Sequence, residues 1–210
     1  GIGPWPPRVL RREAGGRIWQ VDVVVSKAST PGWFLANAGG FHAIHLNRLQ
    51  RSMTRLDVID NESALASLRT SWKQLTASAT PMQSPEWMLA WWHAQRTPQD
   101  QLSVVAIRSE GDELIGLIPW YRHATVATGS TLRFLGSGRA CSDYQTLLCR
   151  AGSEEIVVGR IAEWLSGRNK VDSGAESSKA APAVRWDLLD LEGVSANDVM
   201  WDFFVKHPRK

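Results

Sequence analysis

The sequence predicts an α+β fold, a mixed α/β arrangement in which a central, mostly antiparallel sheet is flanked by helices. Two observations carry this prediction. Helical and extended segments alternate in mixed order from Arg55 onward, and two apolar segments, 102–108 and 113–122, flank a tight turn at 110–112 as strands of a central hairpin. The 210 residues are 43% hydrophobic and 21% charged, which excludes a wholly disordered chain.

The first elements of this fold are a strand and a helix. Residues 55–59 alternate as a short strand does, and Asp60 or Asn61 is a favourable N-cap for a helix over 62–76. The apolar stripe of that helix consists of Leu65, Leu68, Trp72 and Leu75. Pro81 follows and predicts a break between this helix and the next.

A second helix is predicted from Pro85 to about Gln95. Ser84 suits the cap, Pro85 the first helical position, and Glu86 the positive end of the helix dipole. The apolar pairs spaced four residues apart are Trp87 with Trp91 and Met88 with Trp92. Because these pairs occupy adjacent faces, we expect this helix to be buried on most sides.

Pro119 interrupts the second strand of the hairpin. Proline cannot donate to a strand ladder, so we expect a bulge or a divergence of strands there. The remaining predicted elements are strands over 131–135, 145–149 and 184–191, and helices over 154–166 and 196–206. Residues 169–183 are rich in Ala and Ser, with one Gly and one Pro, and are typical of a flexible loop.

The net positive charge of the chain comes entirely from the residues before Met53. Residues 1–52 hold seven basic and two acidic side chains, whereas residues 53–210 hold 17 basic and 19 acidic ones. Apart from one possible strand over 18–25, this leader shows little regular pattern, and Met53 is the first methionine. One hypothesis is that 1–52 is disordered or an untranslated read-through, and that 53–210 is the folded domain. The alternative is a basic arm that binds nucleic acid or an anionic surface.

The order of elements resembles the GNAT acyltransferase fold, and more closely the FemAB-like and CelD-like acetyltransferases, often described as involved in cellulose biosynthesis. The segments that carry the resemblance are Gln83-Ser84-Pro85-Glu86-Trp87 with Trp91-Trp92, 114–121, Leu132 to Gly138, Ser142-Asp143-Tyr144 and Trp186 to Gly193. That family usually has two GNAT-like halves. The matched stretch, about 55–205, is similar to the first, so the second lobe is expected to be missing here.

The resemblance implies transfer of an acetyl group from acetyl-CoA, or another acyl-CoA, to an amine or hydroxyl. The acceptor would be a sugar, a polysaccharide precursor or an amino-acid-like molecule. Asp143 would orient the acceptor, Tyr144 would donate a proton, and the residues that contact the acceptor would be Arg139, Ser142 and Gln83. Gly136-Ser137-Gly138-Arg139 could also bind an anion in a backbone nest beside the arginine. Alternatively, Asp143 caps a turn, Tyr144 packs half-buried, and the glycines 136 and 138 serve only a turn.

The pyrophosphate loop expected before the helix of 154–166 is not of the usual kind. GNAT enzymes have Gln or Arg, two residues, Gly, one residue, then Gly or Ala, whereas this chain has Arg150-Ala151-Gly152-Ser153-Glu154-Glu155. Two carboxylates would face the diphosphate, and like charges about 4 Å apart repel by roughly 1 kcal/mol in water. We therefore expect this lobe alone not to bind CoA at that helix, and a catalytically silent lobe that binds a substrate or partner is the alternative function.

The other reactive residue types have ordinary structural explanations beside functional ones. His93 and His123 are each a possible base or an ordinary histidine, and Cys141 is a possible nucleophile or a small buried thiol. Core packing explains Trp72, Trp87, Trp91 and Trp164 better than base stacking does.

The sequence also excludes several function classes. Cys141 and Cys149 have no zinc spacing, so no metal is expected, and residues 53–210 are slightly acidic, so no nucleic-acid partner is expected. No apolar run approaches the roughly 20 residues of a membrane span, and two cysteines suit a cytoplasmic location. Since a single lobe would leave apolar surface uncovered, self-association through an exposed apolar face is expected.

Overall fold

A computed structural model gives the fold. The residues that it describes are 8–12, 18–24, 53–76, 80–127, 129–138, 145–165 and 186–195. The strands are β1 (Arg8–Arg12), β2 (Ile18–Val24), β3 (Arg55–Ile59), β4 (Asp100–Leu102), β5 (Val104–Arg108), β6 (Leu114–Ile118), β7 (Trp120–Thr125), β8 (Gly129–Phe134), β9 (Leu148–Cys149) and β10 (Leu188–Ser195). The α-helices are α1 (Glu62–Ser67), α2 (Arg69–Leu75), α3 (Pro85–Gln95) and α4 (Glu154–Leu165), with a 3₁₀ turn at Pro81–Gln83. The predicted α+β class is confirmed.

The strands form two sheets rather than the single sheet that the sequence predicts. One sheet has six strands in the order β1-β2-β10-β8-β7-β4, and the other has four in the order β3-β5-β6-β9. All pairings are antiparallel except those of β10, which runs parallel to both β2 and β8. The predicted strand at 18–25 is therefore present as β2, and the predicted helix over 196–206 and loop over 169–183 lie outside the described residues.

One bent hairpin joins the two sheets. Leu102 pairs with Tyr121 in the six-stranded sheet, and Val105 pairs with Ile118 in the four-stranded sheet, so the register is the same on both sides. Between them the Ser103 amide still donates to the Trp120 carbonyl at 3.1 Å. Pro119 has no amide hydrogen to give to the facing residue, and the ladder bends there. The divergence predicted at Pro119 is confirmed, whereas the single strand predicted over 102–108 is divided at Ser103.

Helices cover both faces of the bent hairpin. On one face α4 packs against β5 and β6, with Val157, Ile161 and Trp164 buried against Ile107, Ile118 and Trp120. On the other face α1, α2 and α3 contribute a second core cluster. Its members include Leu65, Trp72, Met88, Trp91, Trp92, Leu117 and Tyr121.

The helices begin where the caps predict, but two details differ from expectation. Asn61 accepts from the Ala64 amide at 2.9 Å and Ser84 from the Trp87 amide at 3.3 Å, which confirms both caps. The helix predicted over 62–76 is broken at Leu68, where the amide donates to the carbonyl three residues back instead of four. The apolar stripe continues across this break, since Leu65, Leu68 and Trp72 are all buried.

The expectation that α3 is buried on most sides is wrong. Its buried residues are Pro85, Met88, Leu89, Trp91 and Trp92, so only one side faces the core. The core assignment of Trp72, Trp91 and Trp164 is confirmed, but Trp87 is 38% exposed. The reason is geometric: Met88, Trp91 and Trp92 have the three- and four-residue spacing of a single face, and Trp87 lies outside it.

Candidate functional site

Most of the predicted site residues lie in one chain segment, which leaves the hairpin and returns to it near the bend. After Leu135, whose amide donates to the Pro119 carbonyl at 2.8 Å, the chain leaves the hairpin at its bend. It returns at Leu148, which pairs with Leu117. Of the five predicted site residues, Arg139, Ser142, Asp143 and Tyr144 lie outside the described residues. Their proposed roles, and the possible thiol role of Cys141, therefore stay predictions.

Both described ends of this segment are bonded to the same part of β10. The Gly138 amide donates to Glu192 Oε2 at 2.9 Å, and the Gln145 amide donates to the Gly193 carbonyl at 3.1 Å. The pairing of β10 with β2 shifts register between Leu191 and Val194, so a bulge presents these acceptors. Gly136 and Gly138 have φ angles of 98° and 79°, which favour glycine, as the turn hypothesis expects. Both described ends of the segment are thus held by β10.

Gln83, the fifth predicted site residue, lies in a different environment. It ends the 3₁₀ turn before α3 and is only 7% exposed. Its carbonyl accepts from Trp72 Nε1 at 3.1 Å, which ties that turn to α2. This bond gives Gln83 a structural role beside any contact with an acceptor.

A polar cluster lies on the α3 side of the six-stranded sheet. Tyr121 on β7 pairs directly with Arg133 on β8, so both side chains project from the same face. Nε and Nη2 of Arg133 each donate to Asp190 Oδ2 at 3.0 Å. The Asp190 side chain is 9% exposed, whereas that of Arg133 is 38% exposed. Asp190 therefore fixes Arg133 from the buried side, while the Arg133 side chain remains partly exposed to solvent.

Tyr121 supports this cluster from the helix side. Its ring centroid lies 5.3 Å from that of Trp91 and 6.2 Å from that of Trp92. Burial raises the pKa of Tyr121, while the neighbouring Ser137 hydroxyl and Arg133 guanidinium partly oppose that rise. Burial alone would lower the pKa of Arg133, but the interactions with Asp190 and Tyr121 together outweigh it, so the net direction is upward. The phenol is thus neutral and the guanidinium charged at physiological pH.

One strand position further along the same face, a carboxylate orients a histidine. His123 lies two residues after Tyr121 on β7, and its Nδ1 is 2.7 Å from Asp100 Oδ1. The other carboxylate oxygen, Oδ2, accepts from the amide and the hydroxyl of Thr97 at 2.7 and 2.8 Å. Asp100 is therefore immobilised, with its side chain 6% exposed, while that of His123 is 26% exposed.

The histidine–carboxylate contact selects one tautomer. An ionised carboxylate only accepts hydrogen bonds, so Nδ1 of neutral His123 carries the proton and Nε2 carries the lone pair. A base held in this way can take a proton from an amine or a hydroxyl. The sequence named His123 as a possible base, but it gave no sign of the Asp100 contact, which depends on the hairpin register.

The start of α4 is acidic in the structure, as the sequence predicts. Glu154 and Glu155 occupy its first turn, and the preceding Arg150 is paired with Glu113 through an Nη1 to Oε2 contact of 2.7 Å. The hydrogen bond from Arg150 lowers the pKa of Glu113, and the same bond raises the pKa of Arg150. The arginine that precedes the helix is thus already engaged, and this helix start is a poor cradle for a diphosphate.

In the described part of the chain, no group of three or more His, Cys, Asp or Glu side chains is arranged to hold a metal ion. No described helix is both long and apolar enough to cross a bilayer. The side chain of Cys149 is half-buried. No family model, curated protein or solved structure matches this chain.

Proposed function

We propose that the chain is a GNAT-type acyltransferase, or the N-terminal lobe of one. It would move an acetyl group from acetyl-CoA to an amine or hydroxyl of a sugar, a polysaccharide precursor or an amino-acid-like acceptor. The observation that carries this proposal is the pair of Asp100 and His123, which presents an oriented base on a sheet face beside a fixed arginine.

The chemistry assigned to His123 is removal of the acceptor's proton. As the nitrogen or oxygen of the acceptor attacks the thioester carbon, Nε2 takes its proton, and the imidazolium is stabilised by the Asp100 carboxylate. The new C–N or C–O bond replaces the C–S bond, and CoA leaves as a thiolate that accepts a proton. Tyr144, predicted from the resemblance, is the proposed donor of that proton.

The fold is compatible with this chemistry in two respects. The bend at Pro119 divides the hairpin between two sheets, and the described residues on either side of the predicted residues 139 and 142–144, Leu135 and Leu148, bond to the hairpin beside it. Bases and proton donors would then approach an acceptor from the sheet face and from this segment respectively. Such convergence of groups from different elements is what catalysis by positioning requires.

The test is acceptor-dependent release of CoA thiol from acetyl-CoA. It is carried out on this chain and on the natural chain extended past Lys210. Release in both would support a complete enzyme, and release only in the extended chain would make this chain one lobe. If neither chain releases thiol with amino sugars or amino acids as acceptors, the proposed function is wrong.

The acidic start of α4 favours a second candidate, a catalytically silent lobe that binds a substrate or a partner. Glu154, Glu155 and the engaged Arg150 together leave no free cation at the described start of this helix. Calorimetric titration with CoA distinguishes the two candidates for this chain. Micromolar binding that is lost in Gly152→Asp would exclude the silent lobe, whereas no binding would favour it.

A further inference from the structure

We infer that Arg133 binds a carboxylate of the acceptor, so that the acceptor is an amino acid or a closely similar amino or hydroxy acid. This inference deepens the proposed function and depends on the same sheet face. It selects one class among the acceptors considered above.

Arg133 gives only part of its donors to its described neighbours. A guanidinium has five N–H groups, of which one on Nε and one on Nη2 point to Asp190, and the side chain also forms a hydrogen bond with Tyr121. The edge formed by Nη1 and Nη2 is free of a carboxylate partner within the described residues. That edge matches the two oxygens of a carboxylate, and a paired contact of this kind is strong and directional.

The Arg133 side chain is also held rigidly. The Arg133 side chain is 38% exposed, yet it is held by Asp190 and flanked by Tyr121, which two tryptophans fix in turn. An arginine that is already ordered loses little conformational entropy when it binds a ligand. The net charge of the pair is zero, so the site selects a carboxylate by geometry rather than by a general attraction for anions.

Arg133 also lies close to the proposed base, His123. His123 pairs with Thr131, and Arg133 is two residues further along β8 on the same face. Diagonal neighbours of this kind have Cα atoms roughly 7–8 Å apart. A carboxylate at Arg133 would therefore place a nucleophilic nitrogen or oxygen that is a few atoms away near Nε2 of His123.

The Arg133–Asp190 pair also has a structural role, which the test must separate. The ladder between β8 and β10 is short, with Leu188 opposite Thr131 and Leu189 opposite Leu132, and the ion pair extends it. A purely structural ion pair would stabilise the sheet but would not distinguish an acid from its ester.

The experiment measures binding without acetyl-CoA, so that it is independent of catalysis. L-alanine and β-alanine, each with its methyl ester, are titrated into the whole chain while the ¹⁵N–¹H resonance of Arg133 Nε is followed. We expect saturable shifts with the acids, and roughly ten- to a hundredfold weaker binding of the esters, because a charge-assisted contact is lost.

Three variants complete the test. Arg133→Lys keeps the charge but not the paired donors and should lower the affinity for the acids about tenfold, as followed by calorimetry. The double variant Arg133→Gln with Asp190→Asn avoids a lone buried charge and should abolish the preference for acid over ester. The control is Arg122→Gln, since Arg122 lies on β7 beside Tyr121 but on the opposite face, where it contacts Gln101.

The possible results decide the inference in either direction. Equal binding of acids and esters, wild-type affinity in Arg133→Lys, or no saturable shift with any probe would overturn it. Thiol release that occurs with amino sugars, which have no carboxylate, but not with amino acids would overturn this inference and leave the proposed acyl transfer intact.

Discussion

Substitution of Gly116 by alanine tests the packing of α4 on the hairpin. A Cβ atom at this position would lie 2.5 Å from Cγ1 and 2.7 Å from Cγ2 of Val157. Ordinary carbon contacts are about 3.5–4.0 Å, so both distances are severe overlaps. Gly116 lies between β5 and β9, paired with Ile107 and Cys149, and Val157 is fully buried. Neither the strand nor the valine side chain can therefore move easily to relieve the overlap.

The expected loss of stability follows from two opposing effects. Overpacking of a close-packed core costs about 1–3 kcal/mol, and replacing glycine by alanine in a strand recovers roughly 0.5–1 kcal/mol. The net loss in the free energy of unfolding is therefore about 1–2 kcal/mol. For a chain of this size, this corresponds to a fall in melting temperature of roughly 2–8 °C.

A double-mutant cycle identifies the cause. Val157→Ala alone should cost about 2 kcal/mol because it leaves a cavity, and Gly116→Ala should cost less in that background because its methyl group enters the vacated space. We expect a coupling energy of about 1–2 kcal/mol from urea unfolding of the four proteins.

The matched control is Gly111→Ala in the exposed turn. An added Cβ there meets only Ser109 Oγ, at 3.9 Å, so its effect should be within about 0.5 kcal/mol. Additive effects of Gly116→Ala and Val157→Ala, or a Gly116→Ala protein as stable as the wild type, would show that α4 does not pack on β6 as described.

Two further predictions concern the six-stranded sheet. Removal of residues 1–52 would delete β2, which pairs with β10 over six positions. We therefore expect the melting temperature to fall and light scattering to show aggregation through the exposed edge of the sheet. A truncated protein that stays monomeric with an unchanged melting temperature would instead support the read-through hypothesis. Because burial raises the pKa of Tyr121, its contribution to stability is complete below the ordinary tyrosine pKa of about 10 and is lost as the pH rises through the higher folded value. Tyr121→Phe should therefore flatten the alkaline fall in urea stability and remove a tyrosinate step above the ordinary tyrosine pKa from the absorbance titration, and a titration curve identical to that of the wild type would contradict this.

Local signals predicted much of the fold. The strand at 55–59, the caps Asn61 and Ser84 and the divergence at Pro119 depend on a few neighbouring residues, and each is present as expected. The last strand was predicted at 184–191 but spans Leu188–Ser195, since the apolar pattern alone does not fix where pairing begins. The sequence did not predict the second sheet, because the hairpin keeps the same pairing register on both sides of the bend at Ser103 and so has the pattern of one continuous hairpin.

The candidate site was harder to predict because its contacts are non-local. Arg108 pairs with Leu114 next to the turn, and a bulge between Ile107 and Arg108 shifts the rest of the ladder by one residue. Without that shift Asp100 would face Arg122 instead of His123. The Arg133–Asp190 contact requires that β10 lie beside β8, which a sequence pattern does not specify. Both of its residues, however, lie within segments that carry the family resemblance.

The role of His123 as the base is the central claim, and the acceptor kcat/KM for thiol release tests it most directly. It is measured on the active form of the chain for the wild type, His123→Gln and the control His93→Gln; His93 is exposed on α3 and lies 3.7 Å from Glu62. Loss of a general base typically lowers the rate by roughly 10²- to 10⁴-fold, so we predict a fall of that size for His123→Gln and little change for His93→Gln. An unchanged kcat/KM in folded His123→Gln, or equal losses in both variants, would contradict the account.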